Sequence, residues 1–85
     1  MAVKTFDQVE WNNDQTEFTG VITSATAADT VSLAAYLNGK SIIGITGMNV
    51  TDETVLAVAV SSSVATIPSG PSTDKVSITV KLLNC

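Results

Sequence analysis

The sequence predicts a small all-β protein: one antiparallel β-sandwich, a short helical turn, and an N-terminal arm. Three observations carry that expectation. The chain is 45% hydrophobic but only 14% charged over its 85 residues. Val, Ile and Thr are abundant, Ser and Ala fill much of the rest, and β-branched side chains suit a pleated, half-buried surface. Several stretches alternate apolar and polar residues with the two-residue period of a strand. Turn-forming clusters separate those stretches, giving a strand-turn-strand rhythm. Eighty-five residues make one domain, read here as an arm over residues 1–14 and a sandwich over residues 15–85.

The arm holds Val3, Phe6, Val9 and Trp11, two of the chain's four aromatics among them. Phe6 and Val9 have helical spacing, but Asn12-Asn13-Asp14 is a turn cluster and the stretch is short, so it reads as extended. Thr16–Thr23 is the first strand, with Phe18, Gly20 and Ile22 on one face and Glu17, Thr19 and Val21 on the other. Gly20 marks a bulge or a close backbone approach. Ser24–Asp29 reads as a loop. Asp29–Lys40 reads either as a short helix capped by Asp29 and ended by Asn38-Gly39, or as a strand with Val31, Leu33, Ala35 and Leu37 inward. The favoured reading is a compromise, a short strand at Thr30–Ser32 and then one helical turn at Leu33–Tyr36.

Ser41–Val50 is a strand with Ile43 and Ile45 on one face and Ile42, Gly44, Thr46 and Met48 on the other. The polar turn Asn49–Glu53 makes it a hairpin with the stretch around which the chain is organised, Thr54–Ser62. There Leu56, Val58 and Val60 point one way, and Val55, Ala57 and Ala59 the other. A strand apolar on both sides is usually covered on both. The bulky side suits a core, and the small side admits the close approach of a second layer or subunit. Val64–Ile67 reads as a short edge strand. Pro68–Asp74 is the clearest loop, holding both prolines and a glycine. Asp74–Leu83 alternates most cleanly, with Val76, Ile78, Val80 and Leu82 inward and Lys75, Ser77, Thr79 and Lys81 outward.

Composition narrows the function. Four Lys, no Arg and eight acids give a net charge of −4. Nucleic acid and anionic membrane surfaces call for clustered cations, so neither is an expected partner. There is no His, which removes Ser-His-Asp and Cys-His catalysis and imidazole metal ligation. The glycines lack dinucleotide-loop and phosphate-loop spacing. Ser61–Ser63 reads as a polar strand end, and the pair Asp52-Glu53 as solvated turn charges. Asn49, Asp52 and Glu53 could offer oxygens to Ca²⁺ but lack the spacing of a calcium loop. Asp7, Glu10, Asp14 and Glu17 would share a face only in a helix. Cys85, the single cysteine, cannot form an internal disulfide. No catalytic residue, cofactor or metal is expected. A chain this small gains from burial against other subunits.

Two resemblances add to this. Val31–Tyr36, followed by Gly39-Lys40 and a strand, resembles a connection found in jelly-roll domains, including carbohydrate-binding modules, and implies a jelly-roll-like sandwich. On that likeness Trp11 and Tyr36 would stack on a sugar, the second functional expectation. As a whole, this acidic chain, low in charge, rich in Ser, Thr and Ala and led by an arm, resembles phage virion proteins of the capsid decoration, or cement, type. That resemblance implies a non-enzymatic protein, often trimeric, binding the major capsid protein at the capsid surface. The contacts would come from Phe6, Val9 and Trp11 in the arm and from Val55, Ala57 and Ala59 at a close-packed interface. Met1–Glu10 has no apolar run of the signal-peptide kind, so synthesis in the host cytoplasm is expected.

Overall fold

A computed structural model of the chain describes residues 2–13, 16–37 and 39–83. In chain order the elements are β1 (Val3–Lys4), β2 (Gln8–Trp11), β3 (Glu17–Ala25), β4 (Thr30–Ser32), α1 (Ala34–Leu37), β5 (Ser41–Asn49), β6 (Thr54–Leu56), β7 (Ala59–Ser61), β8 (Val64–Thr66) and β9 (Asp74–Leu83). They form a sandwich of two sheets. Sheet 1 has the order β1-β4-β8-β7 and sheet 2 the order β2-β3-β9-β5-β6. All pairings are antiparallel except that of β1 with β4.

β9 is the axis of sheet 2. Val76, Ile78 and Val80 are fully buried and Leu82 nearly so, while Lys75 and Lys81 stand in solvent. Across the sandwich these side chains join Val31 of β4, Ala65 of β8 and the connecting residues Leu33, Val58 and Ile67 in one core. β3 lies on one side of β9 and contributes Phe18 and Ile22. It runs two residues beyond its expected end, and its register shifts between Ile22 and Ala25. The bulge is therefore not at Gly20, which is a close approach instead. A Cβ there would come within 2.4 Å of the Phe6 ring.

The expected helical turn forms one residue later than Leu33–Tyr36. Leu33 is held outside it, fully buried, with its N–H donated to the Ser63 carbonyl at 2.8 Å. Val64–Thr66 is an interior strand between β4 and β7, not an edge. The stretch read as an arm is extended, and it takes part in both sheets: β1 pairs with β4, and β2 pairs with β3.

The largest departure lies in Thr54–Ser62. It is two strands, not one: β6 borders sheet 2, the chain crosses over at Ala57-Val58, and β7 borders sheet 1. The crossover keeps Leu56 and Val58 buried and Val60 half-buried between the layers. Gly47 makes room for it, since a Cβ at that position would lie 2.4 Å from Val58 Cγ2. Val55 points outward from sheet 2, Ala57 sits on the crossover, and Ala59 is exposed on sheet 1. The small residues thus wrap around a flank rather than sharing one flat face.

β5 corrects a second reading. It pairs with β9 as Ile42↔Leu82 and Gly44↔Lys81, leaving Ile43 as an extra residue in a bulge. Ile42 and Ile45 therefore both turn inward, against Leu82 and Val80, while Ile43 is 59% exposed. An unbroken strand would have put Ile43 and Ile45 on one side.

The β7–β8 hairpin closes with Ser61 opposite Val64, so Ser62 and Ser63 are the whole loop. Their φ values are 51° and 64°, as a two-residue type I′ turn requires, at a cost to residues bearing a Cβ. Replacing both, Ser62→Asn with Ser63→Gly, should stabilise the fold by about 1 kcal/mol. Thermal unfolding should show a rise of about 5 °C.

Candidate functional site

All four aromatic residues of the chain form one cluster, with Phe18 at its centre. Trp11 sits opposite Phe18 across the β2–β3 ladder, with ring centroids 4.9 Å apart. Tyr36, carried by α1, lies 5.2 Å from Phe18 on a tilted ring plane. Phe6 meets both Phe18, edge-on at 6.3 Å, and Tyr36 at 5.5 Å. Trp11 and Tyr36, 25 residues apart in sequence, are thus brought onto one cluster. Trp11 is 37% exposed and Tyr36 half-buried. Phe6 and Val9, expected as contacts to another chain, are half-buried against this chain's own core.

A second region is the flank bounded by β5, β6 and β7. Val55 is 86% exposed, and Ala57 and Ala59 are exposed. On the outer surface of sheet 2, Gln8, Val21, Ser77, Met48 and Val55 line up in register across all five strands. The next row is Glu10, Thr19, Thr79 and Thr46, with Thr19 and Thr79 hydroxyls 3.0 Å apart. This surface is rich in hydroxyls, carries the charges of Glu10, Glu17, Lys75 and Lys81, and ends on the exposed Met48–Val55 pair. No motif could have shown it, because the row is assembled from five separate segments.

The remaining candidates fall into structural roles. Asn49 is buried, and its Nδ2 donates to Asp74 Oδ2 at 3.0 Å and to Asp52 Oδ2 at 3.4 Å. Its Oδ1 accepts the Asp52 N–H at 3.2 Å. The amide thus presents N–H groups, not a free oxygen, to the carboxylates, the reverse of what a cation needs. Glu53 is exposed in the turn at φ 59°. Among the described residues no group of three or more His, Cys, Asp or Glu converges as a metal site would need. Glu10 and Glu17 lie on the outer surface of sheet 2, and Asp7 accepts the Thr23 N–H of β3; Asp14 and Cys85 lie outside the described residues. Ser62 and Ser63 form the hairpin turn, with no catalytic partner beside them in sequence.

Asp29 caps no helix, since α1 begins at Ala34; it is the most buried acid among the described residues. It is buried and accepts N–H bonds from Thr26 and Ala2, both at 2.9 Å, tying β1 down beside β4. The Thr26 N–H chiefly, with Ala2 and the charge of Lys4, holds its carboxyl below the ordinary range, against the opposing effect of desolvation. Asp7 is lowered in the same direction, mainly by the Thr23 N–H at 2.7 Å and then the Thr23 side chain. A carboxylate lowered in the folded state contributes stability that is complete above its unfolded pKa of about 4. That contribution is lost as pH falls through the lowered value. Acid unfolding monitored by circular dichroism should therefore show a limb below about pH 4, and that limb should be shallower in Asp29→Asn.

Among the described residues no helix is long and apolar enough to cross a membrane. No protein-family model, curated protein or solved structure matches the chain.

Proposed function

We propose that this is a non-enzymatic structural protein of the capsid decoration type, which reinforces a shell through contacts between chains at the virion surface. The observation that carries this reading is the apolar β5–β6 side of the outer surface of sheet 2, where Val55, Met48 and Ile43 stand 86%, 40% and 59% exposed. Exposed apolar side chains gathered in one region mark an interaction surface. Apolar burial there would add stability to a shell without chemistry. The major capsid protein, or another virion protein, is the partner this reading requires. Mass photometry and co-sedimentation of the purified chain with capsid particles from the same source test it. Binding that Val55→Asp abolishes, with the fold intact by circular dichroism, supports the reading. A chain that ignores the particles at every concentration overturns it.

The aromatic cluster favours a second reading, a carbohydrate-binding or adhesive module. Its specific support is that Trp11 and Tyr36, both partly exposed, flank one buried ring. A glycan array decides between the two. Binding lost in Trp11→Ala with the fold retained favours the module, while an unresponsive array leaves the assembly reading.

A further inference from the structure

β6 pairs with β5 only at Gly47–Asn49, because the crossover at Ala57-Val58 takes the chain away to sheet 1. From Thr46 back to Ser41, β5 has β9 on one side and, among the described residues, no strand on the other. The direction of its main-chain groups follows from its neighbours. Leu82 gives its N–H to the Thr16 carbonyl at 2.7 Å, on the β3 side. Val80, two residues earlier, is turned the same way. Residues opposite each other in an antiparallel ladder either face each other or both face away. Ile42 and Ile45, opposite Leu82 and Val80, therefore direct N–H and C=O to the open edge.

The side chains of this edge read the same in both directions. Ser41 is outward and polar, Ile42 inward, Ile43 and Gly44 outward, Ile45 inward, and Thr46 outward and polar. That symmetry is a product of the bulge at Ile43. A second β5, laid antiparallel about a two-fold axis between residues 43 and 44, places Ile42 opposite Ile45 of the other copy. Ser41 then meets Thr46. Inward residues face inward residues, and the pair with outward main-chain groups meets a pair that also has them. Ile43 of each copy meets Gly44 of the other. A groove of about 250 Å³ opens over Gly44, walled by Glu17, Thr46, Thr79 and Lys81, ready for the projecting Ile43. From Ser41 to Thr46 the edge has no charged side chain and no proline, and of the devices that blunt a strand edge it carries only the bulge at Ile43.

We propose that the occupant of this edge is a second copy of the chain, joined β5 to β5 so that sheet 2 runs continuously through a two-fold dimer, with Ile43 seated over Gly44 of its mate. This inference rests on the edge geometry and is independent of the virion reading. A two-fold pairing builds a dimer, in place of the trimer that the decoration-protein resemblance implies, or pairs of any larger ring.

Sedimentation velocity over a concentration series tests it, together with hydrogen exchange on the unmodified chain. The expected result is a concentration-dependent dimer in which the Ile42 and Ile45 amides slow as the dimer forms. The Gly44 and Thr46 amides, already turned toward β9, should not respond. Ile43→Lys and Gly44→Leu should each weaken association by at least about tenfold, the first by charging the edge and the second by filling the groove. Both leave the single chain intact, since Ile43 is exposed and a Cβ on Gly44 meets only the Lys81 Cβ at 3.6 Å. A monomer throughout, a trimer whose Ile42 and Ile45 amides exchange freely, or association unchanged in both variants would overturn the proposal.

Discussion

Phe18→Ala is expected to lower the unfolding free energy by about 4 kcal/mol, the largest loss of any single truncation in this chain. Phe18 is 1% exposed and lies in ring contact with Phe6, Trp11 and Tyr36. Removing it leaves a cavity in the core, and it also dissolves three aromatic contacts, each contributing about 0.5–1.5 kcal/mol beyond area burial. For a domain of this size the midpoint of thermal unfolding should fall by about 20 °C. Calorimetry reads the effect directly, and the fluorescence of Trp11, the only tryptophan, should report a changed environment even at low temperature. Phe18→Leu, which keeps most of the volume, should lose less than half as much. A Phe18→Ala loss below about 1 kcal/mol would mean that the cluster collapses around the gap at little cost, and that Phe18 is not its organising member.

The prominence of Phe18 was only half legible in the sequence. Its burial follows from the alternation of Thr16–Thr23, but its three ring partners lie on β2, on α1 and in the β1–β2 link. Alternation states which side of a strand a residue faces, and no more. That sufficed for β9, where every inward residue was predictable, but it left Asp29–Lys40 open between helix and strand, and the helical turn forms one residue later than Leu33–Tyr36. It failed wherever the question was which sheet a segment joins. Leu56, Val58 and Val60 all face the interior, as their spacing says, but the interior has two walls, and the chain changes walls at Ala57-Val58 without breaking the pattern. Val64–Thr66 read as an edge because it is short, whereas its place between β4 and β7 depends on partners distant in sequence. At Ile42–Ile45 the cause is different. Three isoleucines look alike in any register, so a one-residue bulge leaves no trace in composition and yet exchanges the faces of Ile43 and Ile42. The open edge of β5, the main new feature of the candidate interface, is therefore a property of topology.

Asn49→Asp should cost about 3 kcal/mol at neutral pH, although it exchanges only one N–H₂ for an oxygen. In the native fold the Asn49 amide donates to Asp74 at 3.0 Å and to Asp52 at 3.4 Å, joining the β5–β6 turn to the start of β9. The neighbouring bonds depend on the same arrangement: Lys75 donates its N–H to Thr51 Oγ1 at 2.9 Å, and Val50 its N–H to the Lys75 carbonyl at 2.8 Å. In the variant two donor bonds vanish and three carboxylates face one another, one of them buried at a position only 2% exposed in the native protein. Burial and like charge both favour the protonated form, so the new carboxyl is raised above its unfolded value of about 4. The folded state then binds more protons than the unfolded state between those two values, and stability must fall as pH rises through that window. The variant should thus be relatively more stable in mild acid than at neutral pH. That slope is opposite in sign to the acid limb set by Asp29 and Asp7. Urea unfolding at a series of pH values separates the two slopes. Parallel pH profiles for the native protein and Asn49→Asp would show that the turn opens to solvate the new charge, and that Asn49 does not hold it shut.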